Sequence, residues 1–275
     1  MASLARIRDA YIDEGLSYAQ AEARTAQDAM LDLIAKSQMA RNVTIKGGVL
    51  MQHISKSSRR ATTDFDLDFV RYSITDGSIR KFFKSLSDGS SDFSISLTGK
   101  IEELKHQDYS GKRVHARITD AEGATIITKV DIGVHTLLSP EAQDICFDLG
   151  KLDESVTLLG DSDEQVVAEK LRSLLRIGAA STRYKDVFDI YYLLIIKGVR
   201  KEALSRALHA LVIDDAAMRE ASYGQIAARL KSVFGNRRFS NQLMRAKNDW
   251  LGVPHEKATS AIVRYFEQEA KNLKG

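Results

Sequence analysis

The sequence predicts an α+β domain built on a mixed β-sheet, followed by an all-α domain. Three observations lead there. Asp64-Phe-Asp-Leu-Asp-Phe69 alternates with a strict period of two. Three further segments between Phe93 and Val134 are rich in β-branched residues and separated by turn signals. From Asp163 onward apolar residues recur at helical spacing, and the whole chain holds only two prolines. A length of 275 residues suits two modest domains. We therefore expect domains over 1–158 and 159–275, parted near the Gly160-Asp-Ser-Asp163 loop.

In chain order, residues 3–38 read as two helices, with Ala19, Ala23, Ala26, Met30 and Leu33 forming a stripe to pack on the sheet. Asn42-Val-Thr-Ile45 is a short strand, Lys46-Gly47-Gly48 breaks it, and Val49 to Ile54 is helical. Ser55 to Thr63 is a polar, basic loop before the acidic strand. A helix over 77–86 follows, then strands over Phe93–Leu104, Arg113–Thr119 and Thr125–Val134, the last two joined by Asp120-Ala-Glu-Gly123. The second half reads as helices near 164–177, 185–196, 200–212, 217–233, 239–249 and 255–272, broken at Gly178, Gly198 and Gly235.

Composition narrows the class. Hydrophobic residues at 44% and charged residues at 28% exclude collagen-like, disordered and disulfide-scaffold chains. No apolar run reaches the ~18 residues of a membrane span, so a cytoplasmic protein without membrane contact is expected. Cys146, the single cysteine, has no zinc-binding spacing around it and is expected to be a buried apolar filler. A net charge of +3 is too small to mark a nucleic-acid binder by itself. The basic residues nevertheless cluster at Lys56, Arg59 and Arg60, at Lys170, Arg172, Arg176, Arg183 and Lys185, and at Lys231, Arg237, Arg238, Arg245 and Lys247.

The chemistry centres on the acidic strand. A period of two places Asp64, Asp66 and Asp68 on one face, with neighbouring Cβ atoms roughly 6–7 Å apart. Like charges at that spacing repel unless a cation lies between them. Oxygen ligands without His or Cys favour Mg²⁺, with Mn²⁺ as substitute. The Gly47-Gly48 turn opens a helix and supplies backbone N–H groups for a phosphate, to which Arg60 and Thr62 could add donors. Either signal alone is ordinary; on consecutive elements they describe a nucleoside triphosphate site. Asp131, in the apolar strand Ile127-Thr-Lys-Val-Asp-Ile132, is either a third ligand or a surface or salt-bridged strand end. In the helical half Asp186 and Asp189 share one helix face, and Lys170 lies one helix earlier. They form either an interhelical ion pair, or a site with Lys170 on the triphosphate and Asp186 positioning or deprotonating the acceptor hydroxyl.

Lys46-Gly-Gly-Val-Leu-Met51, Arg60-Ala-Thr-Thr-Asp64-Phe-Asp66, Val130-Asp-Ile132 with Pro140, Glu164-Gln-Val-Val-Ala-Glu-Lys170-Leu and Ser181-Thr-Arg-Tyr-Lys-Asp-Val-Phe-Asp-Ile190 follow one another in this order. Over roughly residues 20–195 this succession resembles the AbiEii/AbiGii toxins, the nucleotidyltransferase-like toxins of type IV toxin–antitoxin and abortive-infection systems that include the MenT toxins. The resemblance implies a polymerase-β-type nucleotidyltransferase core, a helical lobe and a winged-helix antitoxin as partner. It assigns Gly47 and Gly48 to phosphate, Asp64, Asp66 and Asp131 to metal, and Lys170 with Asp186 to the helical lobe. Asp68 offers a competing pair with Asp66, but the Arg60-x-Thr62-x-Asp64-x-Asp66 register favours Asp64 and Asp66. His135, where many relatives carry a Gly-Asp, reads as a loop residue.

The expected function is Mg²⁺-dependent transfer of a nucleotide from an NTP to an acceptor hydroxyl, with the tRNA 3′ end as acceptor. A protein-modifying nucleotidyltransferase and a non-catalytic NTP-binding regulator are the alternatives.

Overall fold

In a computed structural model describing residues 2–89, 91–104, 111–134, 142–245 and 248–272, the acidic strand lies at the centre of a seven-stranded sheet. The chain divides into two compact units, 1–161 and 162–275.

The first unit begins with helices α1 (Leu4–Asp13) and α2 (Tyr18–Ala35), followed by β1 (Val43–Lys46), α3 (Gly47–Ser55), β2 (Asp64–Phe69) and α4 (Asp76–Ser87). Strands β3 (Phe93–Leu104), β4 (Gly111–Asp120), β5 (Thr125–Val134), β6 (Ala142–Leu149) and β7 (Glu154–Asp161) complete it. The sheet order is β3-β4-β5-β2-β1-β7-β6. Pairs β2–β5 and β1–β7 are parallel and the others antiparallel, which makes the sheet mixed.

Phe65, Leu67 and Phe69 are fully buried, as the alternation of β2 requires, together with Val43 and Ile45 from β1 and Val130 and Ile132 from β5. Helix α2 departs from the expected stripe. Ala19 is exposed and Ala23 half-buried, whereas every residue from Thr25 to Ile34 is buried. A helix enclosed on all sides needs no polar face, so its 3.6-residue period marks only the exposed first turns. The two carboxylates enclosed there are partnered: Asp28 accepts from the Tyr11 hydroxyl and pairs with Arg24, and Asp32 pairs with Lys36.

Strands β6 and β7 were not anticipated. They correct the expected loop at Gly160-Asp-Ser-Asp163, because β7 runs to Asp161 and the next helix starts at Asp163. Val156 and Leu158 are the buried set of β7, and Gly160 continues their side. A Cβ on Gly160 would stand 2.4 Å from Ile145 Cδ1, so the strand there reads as a glycine turn in sequence while serving close packing in space. The expected buried filler Cys146 is instead exposed. It lies on β6, an edge strand whose alternate residues face outward, with Phe147 beside it turned into the core. His135 and Pro140 lie outside the described residues, as does Lys247.

All described elements of the second unit are helical. They are α5 (Asp163–Ile177), α6 (Tyr184–Tyr191), α7 (Lys201–Leu208), α8 (Tyr223–Phe234), α9 (Arg237–Leu243) and α10 (His255–Asn272). Helices α6 and α7 each run on into a π-helical turn, Tyr192–Lys197 and His209–Ile213. Ser162, Ser222 and Asn236 cap α5, α8 and α9 by accepting from the backbone N–H three residues on. The helix expected from 217 starts only at Tyr223, since the Ser222 cap sets its first turn. The core is lined by Leu171, Phe188, Leu204, Leu230, Phe239 and Phe266.

Candidate active site

Strand β1 ends in extended backbone at Lys46, and α3 begins at once with Gly47. Gly47 has φ +64°, a left-handed conformation that costs a side-chain-bearing residue roughly 1 kcal/mol or more. Space excludes a side chain as well. A Cβ on Gly47 would stand 2.0 Å from Asp66 Oδ2, and one on Gly48 would stand 2.5 Å from Thr62 Cβ. The Gly-Gly pair thus lets the amide end of α3 close directly onto the acidic strand, and the Gly48 N–H donates to Asp66. The helix starts two residues earlier than the sequence pattern suggests.

Register then builds the carboxylate cluster. Asp66 lies opposite Lys46 on β1 and beside Asp131 on the parallel strand β5, while Asp64 lies beside Lys129. Burial raises the Asp66 carboxyl above the usual carboxylate range, the neighbouring Asp131 and Asp64 raise it further, and Lys46 and the Gly48 amide oppose them. Asp64 Oδ1 is 2.7 Å from Lys129 Nζ. Asp131 is held in a two-point fork by Arg113 of β4, with Nε to Oδ1 and Nη2 to Oδ2 both at 2.7 Å. Asp68, the competing ligand, is buried and bound by Lys46 Nζ at 2.8 Å, so its charge is answered within the fold.

The structure thus brings Gly47, Gly48, Thr62, Asp64, Asp66 and Asp131 into one neighbourhood. Arg60, from the loop before β2, is buried, 5% exposed. Among the described residues no three His, Cys, Asp or Glu side chains converge closely enough to hold a metal, with Asp64 and Asp131 turned onto Lys129 and Arg113. The donor chemistry nevertheless fits a hard divalent cation: three carboxylates on adjacent strands, each drawing a positive group from the same sheet. Lys129 and Arg113 were missed in the sequence. Their signal is the strand period, since Lys129 and Asp131 are two apart on β5 and Arg113 is Asp131's partner on β4.

The helical unit carries a second polar cluster. Lys170 Nζ of α5 is 2.5 Å from Asp186 Oδ1 and 3.0 Å from Asp189 Oδ2 of α6. Asp189 is fully buried and also accepts from Trp250 Nε1 at 2.9 Å. Asp186 Oδ2 is buried without a hydrogen-bond partner among the described residues. The sequence spacing anticipated the Lys170–Asp186 proximity; the Trp250 contact depends on a residue 61 positions away.

The sequence profile of the nucleotidyl transferase AbiEii toxins of type IV toxin–antitoxin systems matches residues 28–253, which takes in every residue of both clusters. The chain belongs to the AbiEii family. As an AbiEii protein it is a nucleotidyltransferase, and the family implies an NTP substrate and a cognate antitoxin. Helix α1 and the whole of α10 lie outside the matched stretch. Among solved structures, an antigenic nucleotidyltransferase-like protein from Paracoccidioides brasiliensis is similar at 15% identity and a TM-score of 0.48, covering 81% of this chain and 92% of that one. No curated protein matches the chain.

Proposed function

We propose that this AbiEii protein transfers a nucleotide from an NTP to the 3′-terminal hydroxyl of a tRNA, acting in the cytoplasm with Mg²⁺, or Mn²⁺ in its place. The observation that supports this best is the seating of Asp66 against Gly47, which sets the amide end of a helix beside adjacent carboxylates. Asp64, Asp66 and Asp131 would hold the metal. When bound, it offsets charge on the phosphates and on the attacking and leaving oxygens.

The chain's own residues have separate tasks in this reading. Gly47 and Gly48 bring the amide end of α3 to the phosphates, and Thr62, packed on Gly48, adds a hydroxyl donor. Arg60 is assigned to the phosphates as a further side-chain donor. In the helical unit Lys170 is assigned to the triphosphate, and Asp186 accepts the acceptor's proton at Oδ2. A bond forms between the acceptor oxygen and the α-phosphorus. The bond from that phosphorus to the pyrophosphate oxygen breaks, and pyrophosphate leaves with the electron pair.

The test is incubation with Mg²⁺, each of the four α-labelled NTPs, and total cellular RNA and protein, beside the Asp64→Ala variant. Label in small RNA that the variant loses supports the proposal. Label in protein alone moves the acceptor to a polypeptide hydroxyl, and NTP binding without label makes the chain a binding regulator. The antitoxin is proposed to be of the winged-helix class, and co-purification from the native host tests it. Among the described residues no helix is long and apolar enough to cross a membrane.

A further inference from the structure

We infer that Arg113 is a built-in counter-cation of the carboxylate site, holding Asp131 when no divalent ion is bound and lowering the site's affinity for one. The inference rests on the metal assignment proposed above and names a residue that assignment does not include.

The geometry is specific. Arg113 and Asp131 are direct cross-strand partners on β4 and β5, and Asp131 is in turn the register neighbour of Asp66 on β2. Both oxygens of Asp131 accept from Arg113, each at 2.7 Å, so the guanidinium fork takes one lone pair on each oxygen and sets a positive charge against the carboxylate. Across the sheet the charged residues run Glu102, Arg113, Asp131, Asp66, Lys46, one per strand from β3 to β1. The hydrogen-bonded Asp131 favours the charged guanidinium most, with Asp64 and Glu102 adding to it against burial. Lys129 on Asp64 differs in kind, because its Nζ is a single point on one oxygen. A cation approaching Asp131 must therefore displace or share a two-point contact and meet the guanidinium charge, whereas at Asp64 it meets a contact to one oxygen. A side chain that merely oriented Asp131 for the metal would act in the opposite direction, since its loss would weaken binding.

The experiment is Mn²⁺ titration of the full chain without nucleotide, followed by the electron paramagnetic resonance signal of free Mn²⁺. Wild type is compared with Arg113→Gln, Arg113→Lys and Asp64→Asn, each checked for folding by circular dichroism. Arg113→Gln should bind Mn²⁺ roughly three- to tenfold more tightly, the scale of one charge-assisted pair released. Arg113→Lys, which keeps the charge but not the fork, should fall between wild type and Arg113→Gln, and it carries the test if the Gln variant does not fold. Equal or weaker binding in the folded Arg113 variants, with Asp64→Asn weakened, overturns the role of Arg113 alone. An Asp64→Asn affinity equal to wild type instead overturns the metal assignment beneath it.

Discussion

Gly47 and Asp66 occupy overlapping space: a Cβ added to the glycine would lie 2.0 Å from the carboxylate oxygen and 2.8 Å from Asp66 Cβ. The first residue of α3 and the middle of β2 are thus specified together, by a backbone that only glycine adopts readily and a side chain that only glycine admits. Gly47→Ala should cost about 2–4 kcal/mol, from left-handed strain plus displacement of Asp66. It should also lower nucleotidyl transfer at least tenfold. Because the closest part of the clash needs the carboxylate, Gly47→Ala combined with Asp66→Ala should destabilise by less than the sum of the singles, leaving the conformational part and the 2.8 Å approach of the two Cβ atoms. Urea unfolding of the four proteins checks this, and strict additivity would contradict it.

Asp28 supplies a pH dependence. Burial is the main cause that lifts its carboxyl from 3.8 to about 6, opposed by Arg24 and the Tyr11 hydroxyl. The folded state therefore holds the proton more tightly than the unfolded chain. The stability tied to this proton is fully present below pH ~4 and is lost as pH rises through about 6, amounting to about 3 kcal/mol over that window. Asp28→Asn carries no titrating proton. The difference in unfolding free energy between wild type and Asp28→Asn should shift against wild type between pH 4 and pH 6 and stay level from 7 to 8. A difference that is flat across the lower window would rule this out.

Lys170 answers two carboxylates at once, one of them fully enclosed. Lys170→Ala removes the counter-charge of both, leaving Asp189 its bond from Trp250 Nε1, and should cost about 3–5 kcal/mol whatever it does to transfer. Asp189→Ala removes the acceptor of both Lys170 and Trp250 Nε1, and should cost a similar amount. Asp186→Asn should cost less, about 1–2 kcal/mol, since its Oδ1 can still accept from Lys170. Thermal unfolding of the three variants checks the order. Asp186→Asn is consequently the variant for testing proton transfer, because a loss of activity there is separable from a loss of fold.

The extent to which the fold was legible follows from how local each signal is. The acidic strand, the three strands after it and the capped helices of the second unit show in sequence because period and capping residues act over a few positions. Strands β6 and β7 did not, because Gly160 and Asp161 look like a turn when Ile145 and Leu50, which pack against that glycine, are invisible. Cys146 was misplaced for the same reason: without β6 there was no outward face to assign it to.

The candidate site divides along the same line. The sequence by itself determined which residue types could do the chemistry, and it placed Asp64 and Asp66 on one strand face, two and four residues after Thr62. Tertiary structure decided the company they keep. Strand pairing sets Asp131 beside Asp66, Lys129 beside Asp64 and Arg113 across Asp131, and it buries Asp68 under Lys46. The physical reason is that local preferences fix only where a side chain points relative to its own backbone. Whether a carboxylate meets a cation, another carboxylate or a helix amide depends on strand order and register, which the packing of the whole sheet determines.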